Sequence, residues 1–199
     1  MKQGRIVILS GPSGVGKGTV LREVMRHNPA LQFSVSATTR EKRPGEEEGK
    51  NYYFVSRQHF EEMIVRGELL EYASYAGNYY GTPIRPVEEA LAQGISVVLE
   101  IEVKGALQVI KMRPDAISIF IMPPSFEELG RRLNGRGDTP PEVAKLRMQI
   151  AVDECLTARN YQYVLINDTV AHAASEFEAI LTAEACRSQY RINHLKEEK

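Results

Sequence analysis

The sequence predicts an α/β fold: a parallel five-stranded sheet of the P-loop type, flanked by helices, with an inserted mixed α/β region and a short lid. Two observations support it. Short apolar runs alternate five times with amphipathic helical patterns, and the first run leads straight into a glycine-rich loop with a lysine. The 199 residues, 43% of them hydrophobic, are enough for one packed core carrying a small insertion.

Five apolar runs are predicted to be the strands of the central sheet. They lie at 5–9, 33–38, 95–101, 116–122 and 163–166. Most of them are apolar without alternation, which is typical of strands that helices bury on both faces. Because crossovers between parallel strands are right-handed, the carboxyl ends of the strands should meet at one edge of the sheet.

The helices are predicted from capping and turn-forming residues. The first should stop near His27, since Pro29 disfavours helix in the residue before it. Ser56 should cap a second helix, and Pro83 should open a third that reaches about Gln93. Further helices are predicted at 103–112, after the capping box 125–128, at 140–161 and at 170–190.

The glycine-rich loop has the composition of a phosphate-binding loop. Glycines let the backbone approach a ligand closely, its amides and the following helix N-terminus attract phosphate, and Lys17 adds a cation. Gly18 stands where the motif has a hydroxyl, so Thr19 is the candidate to reach Mg²⁺, directly or through water. A glycine turn with an exposed lysine is the plainer alternative. The candidate phosphate contacts are Gly11, Pro12, Ser13, Gly14, Val15, Gly16, Lys17, Gly18 and Thr19, which become the ATP contacts if the resemblance described below holds.

Charged residues gather at two other strand ends. Arg40 and Arg43 follow the hydroxyl-rich run 33–38, and a planar guanidinium suits two-point contact with phosphate. Glu100 and Glu102 lie at the end of the run 95–101, where an acid beside a phosphate loop can hold Mg²⁺ or its waters. A solvated charged turn and an ordinary charged strand end are the respective alternatives.

The chain is predicted to divide into a core and two smaller parts. Residues 1–32 and 84–199 form the core, and the insertion 33–83 is rich in Ser, Thr, Tyr, Arg and Glu, which suits a polar second substrate. Arginines flank a glycine-containing loop, which favours a lid at about 134–148 that brings cations over phosphates. A helix–helix turn with solvated arginines explains the same residues.

Composition narrows the partners and the compartment. A net charge of −1 gives no overall basic field for nucleic acid. Cys155 and Cys186 have no second Cys or His at ligand spacing, so we expect two reduced thiols in the cytoplasm. The first apolar run is too short for a signal peptide, and no run reaches the roughly 18 apolar residues of a membrane span.

Read together, these segments resemble the guanylate kinase family from Gly4 to about Arg187. The family's motifs SxTTRxxRPGE, GxxYxF, GNYYGT and RRLxGRG occur in order, and a later strand ends in Asn167-Asp168. The resemblance implies transfer of the γ-phosphoryl group of ATP to GMP, and also to dGMP, with Mg²⁺ as cofactor. It implies ATP and GMP as the partners; beyond the resemblance, we expect no nucleic acid and no membrane, and a monomer or small homo-oligomer.

The resemblance also implies a role for individual residues. Five match positions that hold the GMP phosphate: Ser36, Arg40, Arg43, Tyr52 and Tyr80. Glu71, Thr82 and Glu100 match positions at the guanine. Lys17, Arg132, Arg136 and Arg147 match the catalytic cations, and Asn167 matches a position near the adenine of ATP. The chain departs from the family at Gly18, usually Ser or Thr, and at Glu102, more often Asp; Thr19 and Glu102 therefore remain the metal candidates.

Two other functions stay open at this point. One is a kinase of another nucleoside monophosphate, because the segment 16–19 looks like adenylate kinase, although Glu71 and the tyrosine-rich insertion do not. The other is a non-catalytic guanylate-kinase-like module that binds phosphopeptides. Such modules typically have degraded phosphate loops and sit in long scaffold chains, whereas this short chain keeps Lys17 and the lid arginines.

Overall fold

The computed structural model describes residues 4–75, 77–134 and 141–192. Its strands are β1 (Ile6–Ser10), β2 (Leu31–Phe33), β3 (Ala37–Thr38), β4 (Tyr53–Phe54), β5 (Leu69–Tyr75), β6 (Asn78–Pro83), β7 (Ser96–Glu100), β8 (Ile117–Met122) and β9 (Tyr163–Ile166). Its helices are α1 (Lys17–His27), α2 (Arg57–Val65), α3 (Ile84–Ala92), α4 (Val103–Met112), α5 (Phe126–Asn134), α6 (Pro141–Leu156), α7 (Val170–Ala185) and α8 (Ser188–Arg191).

A parallel five-stranded sheet in the order β2-β7-β1-β8-β9 forms the centre of the protein. The buried residues of β1 alternate between its two faces: Ile6 and Ile8 pack with α3 and α4, whereas Val7 and Leu9 pack with α1 and α7. Helices therefore cover both faces of the sheet, which is why its strands are continuous apolar runs. The predicted α/β fold is confirmed.

The register of the sheet brings the strand ends together at one edge. Leu9 pairs with Glu100, and Ser10 pairs with Phe120. On the far side of β8, Met122 pairs with Ile166, and Asn167 continues the ladder with a backbone bond to Met122 O. The loop after β1, the acid that ends β7 and the amide after β9 thus lie along one edge.

A second, mixed sheet in the order β4-β3-β6-β5 stands beside this edge. Helix α2 covers it, with buried Phe60 and Met63 packing on Ala37, and the Phe60 ring stacks on Tyr79 at 5.2 Å between centroids. Ser56 caps α2 as predicted, its Oγ accepting from the His59 amide at 3.1 Å. This small sheet and its loops carry the residues that the sequence places on the second substrate, except Glu100, which ends β7 of the central sheet.

One predicted strand is wrong as stated, because the run 33–38 is divided between the two sheets. The amide of Ser34 still donates to Val98 O at 3.0 Å, in the central sheet. Two residues later, Ser36 O accepts from the amide of Tyr53 at 2.9 Å, in the small sheet. The other four central strands lie within one residue of their predicted ends.

Two helix predictions also need correction. The segment 140–161 is helical only to Leu156 and continues as a 3₁₀ turn over Thr157–Asn160. The last helix stops at Ala185, before the short α8. The capping box of α5 is half formed, since Ser125 Oγ accepts from the Glu128 amide while the Glu128 carboxylate binds arginines.

No helix in the described part of the chain is long and apolar enough to cross a membrane.

A buried acid near the end of α7 holds the last helices against the sheet. Glu184 is 4% exposed; its carboxylate accepts from Tyr163 Oη at 2.5 Å and pairs with Arg5 at 3.5 Å. Glu184→Ala removes the acceptor of the Tyr163 hydroxyl and the carboxylate partner of Arg5, which keeps its bond to the Glu184 carbonyl at 2.9 Å, so we expect the free energy of unfolding to fall by about 3 kcal/mol. Urea denaturation measures this.

An exposed ion pair supplies the control for this prediction. Glu23 pairs with Arg26 at 2.9 Å, and the Arg26 side chain is 73% exposed. Glu23→Ala should change the free energy of unfolding by only about 0.5 kcal/mol. Equal losses of unfolding free energy in Glu184→Ala and Glu23→Ala would show that the buried Glu184 contacts stabilise the fold no more than an exposed ion pair does.

Candidate active site

The loop between β1 and α1 is fixed by its glycines and by a neighbouring amide side chain. Gly14 and Gly16 have φ angles of +78° and +97°, which side chains rarely adopt. A Cβ on Gly16 would also lie 2.6 Å from Asn167 Nδ2. That same Nδ2 donates to Val15 O at 2.8 Å, so Asn167, itself buried, holds the loop from the end of β9.

The lysine of the loop is folded back over its own backbone. Lys17 Nζ donates to Gly11 O at 2.6 Å and to Pro12 O at 3.2 Å. Burial lowers the pKa of Lys17 below its usual value, and the negative charges of Glu100, Glu154 and Glu102 act against that shift. The cation therefore stands at the sheet edge among carboxylates, which favour its charged form.

Glu154 was not predicted from the sequence. It lies in α6; burial raises its pKa, while the charge of Lys17 and a hydrogen bond from the Ser13 backbone amide act against that shift. The sequence around Glu154 is typical of an ordinary charged helix. Only the fold brings it to the phosphate loop, so no local pattern could have singled it out.

Arg132 joins α5 to the loop and to β9. Its Nη1 donates to Val15 O at 3.2 Å and its Nη2 to Asn167 O at 3.0 Å. Its Nε donates to Glu128 at 2.7 Å, and the hydrogen bonds from Arg131 and Arg132 lower the pKa of Glu128 to about 2. Glu128 thus stays ionised near neutral pH and orients the Arg132 guanidinium toward the loop.

Of the other two predicted lid arginines, one lies in the described part of the chain. Arg147, in α6, points its Nη2 to within 3.4 Å of Ser13 Oγ and so reaches the loop. Arg136 lies outside the described residues, as does part of the predicted lid at 134–148.

A cavity of about 280 Å³ opens between the two sheets. Six of the residues predicted from the sequence line it: Ser36, Tyr52, Glu71, Tyr80, Glu100 and Glu102. Ala73 and Tyr75 of β5 also line it and were not predicted. The cavity contains residues from both sheets, so it can hold a ligand between the small sheet and the strand ends of the core.

Glu71 is the most buried acid of the cavity lining, at 6% exposure. It pairs across the β5–β6 ladder with Thr82, whose Oγ1 donates to Glu71 Oε1 at 2.7 Å. Burial raises the pKa of Glu71 to about 7; the Thr82 hydrogen bonds oppose the shift, and the charge of Glu102 adds to it. A carboxylate held this way can accept hydrogen bonds from a ligand.

Aromatic and cationic groups lie next to the cavity. The Tyr52 and Tyr80 rings meet edge to face at 6.0 Å, and the Arg40 guanidinium lies 5.4 Å from the Tyr52 centroid. Arg40 donates to Glu46 Oε1 at 2.7 Å, and Arg43 gives Glu46 its backbone amide at 2.8 Å. Glu46 thus ties together the two arginines that the sequence places on phosphate.

The candidate metal ligands lie near the loop but are loosely held. Glu102 is exposed, and the Thr19 hydroxyl accepts from Arg22 Nη2 at 3.2 Å. A Cβ on Gly18 would lie 3.5 Å from both Glu100 oxygens, so the missing hydroxyl would have been next to that acid. Within 4–75, 77–134 and 141–192, no three His, Cys, Asp or Glu side chains form a metal cluster. Carboxylate and hydroxyl oxygens beside a phosphate loop suit Mg²⁺, which keeps several waters and phosphate ligands.

The chain is similar to known guanylate kinases both in sequence and in structure. The family model described as guanylate kinase matches residues 3–184. The guanylate kinase of Carboxydothermus hydrogenoformans is 49% identical over 194 residues, which cover 98% of this chain and 95% of that protein. That of Lactiplantibacillus plantarum is 51% identical over 184 residues, with 92% and 89% covered. The crystal structure of guanylate kinase from Anaplasma phagocytophilum superposes with a TM-score of 0.76 at 35% identity, covering 94% of this chain and 89% of that one.

Proposed function

The chain belongs to the guanylate kinase family, and we propose that the sheet edge described above is its site for phosphoryl transfer from ATP to GMP. The chain is accordingly an ATP:GMP phosphotransferase. One observation carries the assignment of the site: the loop with Lys17 and the cavity with buried Glu71 meet at the same edge, where Glu100 and Glu102 border both. A donor and an acceptor nucleotide can therefore lie side by side.

GMP occupies the cavity in this proposal, with its base at Glu71. Guanine presents N1–H and the N2 amino group side by side, and a carboxylate can accept from both, whereas adenine offers no such pair of donors. Thr82 orients the carboxylate through Oε1, and Glu100 borders the same space. The phosphate of GMP is held by Ser36, Arg40, Arg43, Tyr52 and Tyr80.

ATP occupies the loop on the other side of the edge. The backbone N–H groups of the loop after β1, except at Pro12, which has none, and the N-terminus of α1 bind its phosphates, and Lys17 leaves its loop carbonyls to contact them. Asn167 lies near the adenine, and Arg132 and Arg147 approach the loop from α5 and α6. Arg136 is assigned to the transferred phosphoryl group on the family resemblance.

The reaction needs no covalent enzyme intermediate. A phosphate oxygen of GMP attacks the γ-phosphorus in line, the bond to the β-phosphate bridging oxygen breaks, and ADP leaves. The chain holds the two nucleotides in line and places cations against the equatorial oxygens of the transferred group. Lys17, Arg132, Arg136 and Arg147 supply that charge.

Mg²⁺ is the proposed cofactor, held by Glu102 and Thr19, directly or through water. When bound, it neutralises charge on the ATP phosphates. We extend the acceptor range to dGMP, because none of the assigned contacts involves the ribose 2′-hydroxyl. We place the activity in the cytoplasm, in a monomer or small homo-oligomer.

The KM for GMP should depend on pH through Glu71. The carboxylate form binds guanine, so affinity is lost as pH falls through the raised pKa of about 7. At pH 6 only about one tenth of the molecules carry the carboxylate, so KM should be roughly tenfold above its alkaline limit. A glutamate of ordinary pKa would leave KM nearly constant over this range. Initial rates from pH 6 to 8.5 measure it.

The phosphate of GMP itself titrates near pH 6, so this experiment needs a baseline. Glu71→Gln supplies it, because the amide does not titrate. We expect the variant to retain only the weak pH dependence of the substrate. The same slope in both proteins would remove Glu71 as its source.

Two adjacent arginines allow a comparison between an arginine that contacts the phosphate loop and one that lies only on the helix surface. Arg131 and Arg132 both bind Glu128, but Arg132 alone of the two donates to Val15 O and Asn167 O. Arg132→Ala should lower kcat/KM for ATP by about 100-fold, whereas Arg131→Ala should stay within about twofold. Initial rates with varied ATP test this, and similar losses in the two variants would contradict the assigned role.

ADP formation from ATP with GMP, AMP, UMP and CMP as separate acceptors tests the proposed function. Rapid turnover with GMP alone is the expected result. Turnover with another nucleotide at a similar rate would make the chain a different nucleoside monophosphate kinase. Absence of turnover with every acceptor would favour the phosphopeptide-binding module.

A further inference from the structure

The carboxylate of Glu71 rests on the first turn of α4, at a glycine. A Cβ on Gly105 would lie 2.3 Å from Glu71 Oε2, 3.0 Å from its Cδ and 3.4 Å from its Cγ. These three nearest atoms all belong to the Glu71 side chain, and contacts under 3.0 Å are essentially never made by a real Cβ. Any side chain at position 105 would therefore displace the carboxylate.

Backbone conformation does not explain this glycine. Gly105 lies inside α4 and is absent from the described glycines with positive φ, so an alanine could adopt its backbone angles. Glycine within a helix costs about 1 kcal/mol relative to alanine. An alanine at position 105 would instead conflict with the Glu71 carboxylate, because its Cβ would occupy the space that Oε2 fills.

The glycine belongs to a wider contact between α4 and β5. One turn along the helix, Gln108 Nε2 donates to the carbonyl of Tyr72, the neighbour of Glu71, at 3.3 Å. The two oxygens of Glu71 are thus held differently: Thr82 donates to Oε1, and Oε2 lies over Gly105. This fixes the carboxylate from the small sheet on one side and from the core on the other.

We propose that Gly105 is a positioning residue for guanine selection, which sets the place of the Glu71 carboxylate by leaving room for it on α4. The inference rests on the proposed function, in which Glu71 accepts from guanine. Gly105 itself touches no substrate in this account. It acts by keeping Oε2 where the donors of guanine can reach it, so it determines specificity and not the transfer step.

Gly105→Ala is the direct test. The methyl group must push the carboxylate away, so the KM for GMP should rise by about 10- to 100-fold, the loss expected when charge-assisted hydrogen bonds are misaligned. The KM for ATP should change by less than about twofold. A general defect of folding would instead lower the active fraction and leave both KM values unchanged.

Gly130→Ala is the matched control. Gly130 lies inside α5, and a Cβ there would meet nothing within 4 Å. The two variants make the same change in a helix, with the same gain in helix propensity. Gly130→Ala should keep the wild-type KM for GMP, and a rise equal to that of Gly105→Ala would overturn the inference.

Rescue by a shorter acid isolates the contact. Glu71→Asp removes one methylene and draws the carboxylate back by about 1.5 Å, the length of one carbon–carbon bond. In the Glu71→Asp background, Gly105→Ala should raise the KM for GMP by less than about threefold, because the methyl group then has room. An equal rise in both backgrounds would show that the methyl group acts elsewhere than on Glu71.

The outcomes separate the inference from its premise. If the wild-type protein does not phosphorylate GMP, the proposed function fails and the inference with it. If it does, and Gly105→Ala keeps the wild-type KM for GMP, only the inference is overturned. Should Gly105→Ala not fold, the cycle is read from thermal unfolding: Glu71→Asp must restore the fold, and failure to restore it counts against the contact.

Discussion

Lys17→Ala is expected to lose kcat by about 100- to 1,000-fold, with little change in the KM for GMP. Lys17 is the cation of the loop itself, and its Nζ lies on the Gly11 and Pro12 carbonyls, within reach of any phosphate that the loop binds. Charge that develops on the transferred group would lose this counter-charge. Initial rates with both nucleotides near saturation measure the effect.

The control for this variant is another lysine of the chain. Lys111, in the last turn of α4, is exposed and lies outside the site. Lys111→Ala should keep the wild-type kcat within about twofold. Asn167 Nδ2 still anchors the loop at Val15 in Lys17→Ala, so thermal unfolding should show a folded protein. A folded Lys17→Ala protein with near-normal turnover would remove the loop from the mechanism.

Glu71→Gln should lower kcat/KM for GMP by about 100-fold while leaving the KM for ATP unchanged. The amide keeps the size of the side chain but replaces one acceptor oxygen by a donor, which then faces a donor of guanine. The same amide can donate to adenine N1 and accept from its N6 amino group. AMP should therefore gain as an acceptor relative to GMP, and rates with each nucleotide measure that ratio.

An exposed glutamate provides the control for the second variant. Glu89, in α3, pairs with Arg85 at the surface at 2.7 Å. Glu89→Gln should keep the wild-type preference for GMP over AMP. An unchanged preference in Glu71→Gln would mean that guanine is selected by another group of the cavity, of which Glu100 is the nearest candidate by chemistry.

The central sheet was predictable because each strand is a continuous apolar run between turn-forming residues. Strands β1, β7 and β8 follow this rule and are buried on both faces, whereas β9, at the edge of the sheet, is an apolar run that leaves Val164 and Ile166 exposed. The run 33–38 misled because its side chains alternate in character as in one half-exposed strand, yet the backbone leaves one sheet after Ser34 and joins another at Ser36. Such a change of partner depends on tertiary hydrogen bonds and has no local signature.

The site was predictable where its chemistry is local and not where it depends on packing. The glycine loop and Lys17 are contiguous, so their spacing alone indicates phosphate binding. Glu154 reaches the loop only through the packing of α6, and Gly105 acquires its importance only because Glu71 lies on it. Neither residue has a distinctive sequence neighbourhood.

The selection of guanine and the transfer to GMP are both tested by following the γ-phosphoryl group of ATP to its product. ATP with a radioactive γ-phosphoryl group, Mg²⁺ and equal concentrations of GMP and AMP are mixed with the protein, and the labelled products are separated. We expect label in GDP, with little in ADP or inorganic phosphate, since AMP and water are poor acceptors. Label mainly in ADP would contradict selection of guanine by Glu71, and label mainly in inorganic phosphate would contradict transfer to GMP.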